Sequence, residues 1–249
     1  MVLAVKRACL VLIGALAGWE PVAAADNASI ARWAKGTIEY RMLETGAVIG
    51  SEDWHLSVHP DGSRTLQTVN RLDLADAQRH VTLRVEESFR PLELTAVYYT
   101  GGVWRGTGLF SVAGDTLHAV VKTPNGLIQQ ERPVPDDFAF IPHPLATDAW
   151  ATWSYDRARG GVQTRTVYDL DGRADSAGSM LGKLYDQPLE LIGTQEVTTP
   201  AGTFQTDHFR AGEYAHIYLT GPDAILVRFV WDSDTYKTEF VLKSLERGE

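Results

Sequence analysis

After Gly36 the chain alternates apolar and polar residues with a period of two, and turn residues interrupt that alternation at short intervals. A period of two sends successive side chains to opposite faces, which suits half-buried strands and not helices. Ile38, Tyr40 and Met42 alternate with Glu39 and Arg41, and a second run after Glu44-Thr45-Gly46 continues to Trp54, Leu56 and Val58. His59-Pro60-Asp61-Gly62 then reverses the chain, because Pro presets φ and Gly accepts φ > 0. Further strands are predicted over 64–74, 80–89, 92–100, 103–112, 116–123 and 127–132, with Pro91, Gly101-Gly102, Gly114-Asp115 and Pro124-Asn125-Gly126 as punctuation. A second series covers 162–170, an Asp171-Gly172 turn, 189–199, 203–210, 214–220, 225–231 and 236–245. Only 29–35 and 145–153 look helical, so the crossover helices of a parallel α/β fold are missing. The predicted class is all-β: a large curved antiparallel sheet, or an open barrel or half-barrel, with meander topology and a minor helix near 145–153.

Residues 133–161 break this rhythm. They hold Pro133, Pro135, Pro142 and Pro144 together with His143, Asp148, Trp150, Trp153, Tyr155 and Arg157. A loop this long inside a compact domain is uncommon, and linkers seldom carry two Trp and a Tyr. The segment is read as a lid or plug over the sheet that interrupts the meander rather than supplying a strand.

Lys6 and Arg7, the apolar run from Ala8 to Gly18, and Val22-Ala23-Ala24-Ala25 have the layout of a cleaved export signal. Residues 1–25 are therefore expected to be removed, leaving 26–249 as one β domain that works as a soluble periplasmic or secreted protein. Of 23 Lys and Arg and 32 Asp and Glu, Lys6, Arg7 and Glu20 fall in the signal, leaving 21 against 31, a net of −10. Such acidity repels phosphate backbones and anionic lipid surfaces, so nucleic acid is not an expected partner. No second apolar run approaches the ~18 residues of a membrane span, so stable insertion is not expected either. The single cysteine, Cys9, lies in the signal, and stability of the mature domain must come from packing without disulfides.

Three further stretches resemble the exported β-rich proteins grouped as DUF3108-like, whose function is unknown. They are Ile38-Glu39-Tyr40 followed by Gly46-Ala47-Val48-Ile49-Gly50, then Phe89-Arg90-Pro91-Leu92-Glu93-Leu94, and Val197-Thr198-Thr199-Pro200-Ala201-Gly202-Thr203-Phe204. The resemblance implies a periplasmic protein with a large curved antiparallel sheet, somewhat like the half-barrels that carry lipoproteins or lipids. It implies no catalytic residues, and 133–161 departs from the pattern.

Motifs for metal or cofactor chemistry are missing. His55 and His59 are spaced as a helical zinc pair, but four residues of strand span about 13 Å, too far for one ion. No zinc-protease, phosphate-loop, nucleophile-elbow or calcium-loop pattern occurs, and neither metal nor cofactor is expected. The C-terminal hairpins are more informative. With Ala211-Gly212-Glu213 as a turn, His208 is expected opposite His216 and Thr206 opposite Tyr218. With Pro222-Asp223 as a two-residue turn, Tyr218 meets Val227, His216 meets Phe229 and Tyr214 meets Trp231. That register gathers Phe204, Thr206, His208, Tyr214, His216, Tyr218, Val227, Phe229, Trp231, Thr238 and Phe240 on one face. The paired imidazoles are open to two readings: a site, or buried histidines satisfied by neighbours. His143, Asp148 and Tyr155 make a second cluster, equally compatible with plain solvation.

Three functions remain open. The first is a carrier holding a small apolar or lipid-like ligand inside the curved sheet, with Tyr214, Tyr218, Phe229, Trp231 and Phe240 as lining. Trp150, Trp153, His143 and Tyr155 would close over that ligand. The second is a cofactor-independent isomerase, cyclase or lyase using His208 and His216 as acid and base, assisted by Tyr218 or Asp148. The third is an envelope component working through its surface, favoured if the interior is solidly packed. The sequence names neither a ligand nor an oligomeric state.

Overall fold

The computed structural model describes residues 30–170, 180–234 and 237–249. The expected export signal and the Asp171-Gly172 turn lie outside these residues. Eight strands follow one another from the start: β1 (Arg32–Met42), β2 (Val48–Val58), β3 (Arg64–Leu72), β4 (Ala77–Val85), β5 (Pro91–Thr100), β6 (Val103–Ala113), β7 (Thr116–Thr123) and β8 (Gly126–Pro133). A short β9 (Ala139–Ile141) and the helical turn α1 (Leu145–Asp148) come next, and α1 runs on into a 3-10 turn at Ala149–Thr152. The chain then returns to strands with β10 (Gln163–Asp169), β11 (Lys183–Thr199), β12 (Gly202–Ala211), β13 (Ala215–Thr220), β14 (Ile225–Asp232) and β15 (Lys237–Gly248).

Among the described residues fifteen strands form one sheet in the order β8-β7-β6-β5-β4-β3-β2-β1-β15-β14-β13-β12-β11-β10-β9. Two meanders therefore meet where β1 pairs antiparallel with β15, and among the described residues only β9 on β10 is parallel. The all-β meander expected from the alternation is the fold observed. Among the described residues, no helix is long and apolar enough to cross a membrane.

Two local expectations fail. The stretch 29–35 is not helical from Arg32 onward, because β1 begins there and is paired on both sides, Trp33 with Gly248 and with Ser57. Pairing to two strands outweighs a weak local helix preference. The segment 133–161 does supply a strand, β9, which adds to β10 at the edge of the sheet.

The sheet curls around the segment that follows β8, which is a plug rather than an outer lid. Phe138, Phe140, Ala149, Trp150 and Ala151 are all buried. Phe140 meets Phe110 of β6 at 6.1 Å and Tyr168 of β10 at 6.2 Å, while Phe110 also meets Tyr168 at 5.9 Å. Tyr98 of β5 donates its hydroxyl hydrogen to the Pro142 carbonyl. Side chains thus bring β5 and β6 against β9 and β10, although among the described residues no strand ladder closes the barrel. Burying aromatic side chains such as Trp150, Phe138 and Phe140 stabilises the fold by about 2–3 kcal/mol each. At one end Asp223, in the β13–β14 turn, accepts from Arg32 of β1 at 2.6 Å and from Arg64 of β3 at 3.0 Å. The backbone carbonyl of the same residue accepts from Trp150 Nε1 at 3.2 Å, so the plug is tied to both meanders.

Candidate functional site

The inner face carries a polar anchor that sequence reasoning missed. Glu52 of β2 is fully buried and faces the plug. Its carboxylate accepts from the Tyr40 hydroxyl (2.6 Å), the Leu145 amide (2.7 Å) and the Ala146 amide (3.1 Å). Burial pushes the Glu52 pKa up to about 7, against the pull of those three donors. Next to it, His143 adopts φ 77 between two prolines, and its amide donates to Asp148 Oδ1 at 2.9 Å. The His143 ring donates from Nε2 to the Leu170 carbonyl at 2.6 Å and lies 3.1 Å from Asp169. Burial lowers the His143 pKa, but Asp169 and Asp148 outweigh it and hold the ring above its usual value. Burial also pushes Asp148 up to about 7. These groups brace the plug. A void between Trp54, Leu56, Leu66, Ala146 and Trp150 is about 10 Å³, room for one water.

The aromatic residues expected to line an inner ligand site are in part packed and in part outside. Phe229 and Phe240 are inside and meet edge to face at 5.6 Å, with Tyr40 against Phe240 at 4.6 Å. Trp150 is capped by Phe89 at 5.4 Å, and Trp153 donates to the Phe138 carbonyl at 3.2 Å. Tyr155 packs on Phe209 at 5.7 Å and donates to the Gly161 carbonyl. Tyr214 and Trp231 do meet, at 6.1 Å, but both are exposed near the end of the hairpin.

The histidine pair survives a corrected register. The turn after β12 is Gly212-Glu213-Tyr214, so Ala211 pairs with Ala215, His208 with Tyr218 and Arg210 with His216. A displacement of two keeps face and neighbours, and His208 Nε2 lies 2.9 Å from His216 Nδ1 on the diagonal. The next hairpin begins in the expected register, Thr220 with Ile225 and Leu219 with Leu226. A bulge between Tyr218 and Leu219 then shifts the ladder by one, and Tyr218 faces Arg228 while Ile217 faces Phe229. One inserted residue turns every following side chain over. The expected single face therefore splits: Phe229 and Phe240 turn inward, while His208, His216 and Tyr218 stay outside with Arg228. Val227, the bulged residue, remains clustered with Tyr218. Tyr218 stacks on His208 at 4.4 Å and 17°, with the Arg228 guanidinium 5.7 Å from the Tyr218 ring. Asp148 lies inside the plug, on the opposite face of the sheet from this group.

A larger feature lies on the same outer face. A trough of about 660 Å³ crosses β15, β1, β2, β3, β4 and β5. At strand spacing six strands extend it over roughly 24 Å. Its rows follow the ladder: Glu246 and Ser244, Lys35 and Thr37, His55 and Asp53, Gln67 and Val69, Thr82 and His80, Thr95 and Val97. Lys35 is paired with Glu246 at 2.9 Å, and Asp53 accepts from Thr37 at 2.9 Å and lies 3.6 Å from Arg71. The His55 ring stacks on Trp33 at 6.4 Å and 18°. His80 accepts from Gln78 Nε2 at 2.6 Å and meets Tyr99 edge to face at 5.8 Å. Strand by strand these residues read as an ordinary solvent face, which is why the trough could not be seen in the sequence.

No family model matches this chain, and no curated protein matches it. Among solved structures it is similar to a β-barrel-like protein of the domain-of-unknown-function family DUF1849 from Brucella abortus. The TM-score is 0.56 at 11% identity, covering 87% of this chain and 98% of the other. A DUF1089 family protein from Pseudomonas aeruginosa scores 0.41 at 9% identity over 71% and 87%. A protein with YmcC-like fold from Bacteroides fragilis scores 0.33 at 11% over 86% and 95%. The first of these likenesses is one of fold alone. The DUF3108 resemblance accordingly reduces to its coarser content, a β-rich domain like others of unknown function; DUF3108 itself is not shown.

Proposed function

We propose that this protein is an exported, non-enzymatic binding module that holds an uncharged, hydroxyl-rich chain such as a glycan along the outer trough. The observation that carries the reading is the trough itself, a ligand-sized depression whose charged residues already have partners. Lys35 answers Glu246, and Asp53 answers Thr37 and Arg71, so a charged ligand would break existing pairs. What remains free to bind are the amide of Gln67, the hydroxyls of Thr82 and Thr95 and the imidazole of His55, with Val69 and Val97 as an apolar floor. Hydroxyl arrays are recognised by such neutral donors and acceptors, and sugar ring faces stack on flat ring platforms such as the His55 imidazole.

The inner-carrier reading, with an apolar ligand enclosed by the sheet, loses support because the plug occupies that space. A small-molecule site needs at least ~300 Å³, and the void beside the plug is about 10 Å³. The enzyme reading keeps its imidazole pair but places it on the outer face, apart from the trough and from Asp148.

The test is a binding screen by isothermal titration with maltohexaose, cellohexaose and chitohexaose against a fatty acid and an anionic hexasaccharide. The proposal expects a neutral hexasaccharide to bind and His55→Ala with Gln67→Ala to weaken it about tenfold or more, without loss of melting temperature. Binding of the fatty acid alone, unaffected by those substitutions, would overturn it.

A further inference from the structure

We propose that His208 and His216 form a two-imidazole site for a divalent transition-metal ion, Cu²⁺ in preference to Zn²⁺ or Ni²⁺, on the outer face away from the trough. The facing nitrogens are Nε2 of His208 and Nδ1 of His216, 2.9 Å apart. Cu²⁺ favours square-planar or tetragonal coordination, and metal–imidazole bonds of about 2.0–2.1 Å at a right angle require about 2.8–3.0 Å between the two nitrogens. The observed 2.9 Å already meets that spacing, and a small rotation at either side chain aims both lone pairs at one point. At 2.9 Å one proton lies between the rings, so one nitrogen donates and the other accepts. Binding moves that proton to the far nitrogen of the same ring, leaving both facing nitrogens as lone-pair donors. No net proton is released from the neutral pair, and no oxidant or reductant is involved.

The surroundings favour this geometry. His208 is held flat against Tyr218 at 4.4 Å, which limits the loss of ring freedom on binding. The neighbouring arginines are each answered by a carboxylate: Arg210 pairs with Glu190 at 2.6 Å and Arg228 with Glu239 at 2.5 Å. Their charges therefore do not stand unopposed against a cation. Both imidazoles are pushed below their usual pKa, first by burial, which keeps them neutral and ready to ligate near pH 7. Both rings are only half-buried, which leaves the remaining coordination positions to water. Among the described residues no cluster of three or more His, Cys, Asp or Glu could hold a metal. The site is thus two-coordinate in protein ligands, and the preference for Cu²⁺ follows from the affinity order of imidazole sites.

The test is a Cu²⁺ titration of the full chain with glycine as competitor, read by electron paramagnetic resonance and by paramagnetic broadening of proton signals. One Cu²⁺ per chain with two-nitrogen ligation is expected, and substoichiometric Cu²⁺ should broaden Tyr218 and both histidines before His55 or His80. His208→Gln and His216→Gln should each lower the affinity about tenfold or more and leave one-nitrogen ligation. His118→Gln, at an exposed ring paired with Glu131, should change nothing. First broadening at any other histidine, or wild-type affinity in either pair variant, would overturn the proposal.

Discussion

The Tyr40 hydroxyl donates a 2.6 Å hydrogen bond to the Glu52 carboxylate across the β1–β2 ladder, with both side chains buried on the inner face. The same carboxyl group takes the amides of Leu145 and Ala146, so the sheet grips the plug through one buried titratable group. A plug keyed in this way behaves as core, and its chemistry makes the fold sensitive to pH.

Stability should fall as pH rises from 5 to 8. Folding raises the Glu52 carboxyl from its ordinary 4.5 to about 7, so the folded state holds that proton more tightly than the unfolded state. The resulting stabilisation is full below pH 4.5 and is lost as pH climbs through about 7, on the order of 3 kcal/mol. Asp148, also raised to about 7, and His143, raised by Asp169 and Asp148, act in the same direction. Urea midpoints measured across pH 5–8 check this, and Glu52→Gln, which cannot ionise, should flatten the slope.

Trp150→Ala should destabilise the protein by about 3–5 kcal/mol, because it empties a buried site beside Phe89 and removes the donor to the Asp223 carbonyl. Thermal melting checks the size. Deletion of Phe138–Trp153 should go further and abolish the cooperative transition, since it removes β9 together with the centre of the core. A deletion variant that melts like the parent would mean that the segment is an appended lid.

Gly36→Ala should cost about 1–3 kcal/mol. A β-carbon there would stand 2.3 Å from the Ser244 carbonyl oxygen and 2.9 Å from the Trp54 ring, at the ladder that joins the two meanders. The clash is with backbone, which cannot swing aside. Chemical denaturation of this variant should show a lower midpoint with an unchanged slope.

What the sequence made legible follows from how local each signal is. Pro60-Asp61-Gly62, Gly101-Gly102 and Asn125-Gly126 end strands by their own backbone preferences, so the meander could be read directly. The bulge at Tyr218 and Leu219 has no such marker, and one unpaired residue was enough to send Phe229 inward and leave His216 outside. Glu52 lies between Ser51 and Asp53 and looks like part of a solvent-facing run. Besides the Tyr40 hydroxyl, its partners are the backbone amides of Leu145 and Ala146, more than 90 positions away, and backbone leaves no residue-type signature. The histidine pair was found because the misplaced turn displaced the register by two, which preserves the face.

The most direct measurement is a proton–carbon correlation map of the histidine rings and core methyl groups during titration with a neutral hexasaccharide identified in the binding screen. The account predicts shifts at His55, His80, Val69 and Val97, with Ala146, Ala149 and Leu66 unmoved. Shifts that appear first at Ala146, Ala149 and Leu66 would place the ligand beneath the plug and contradict it.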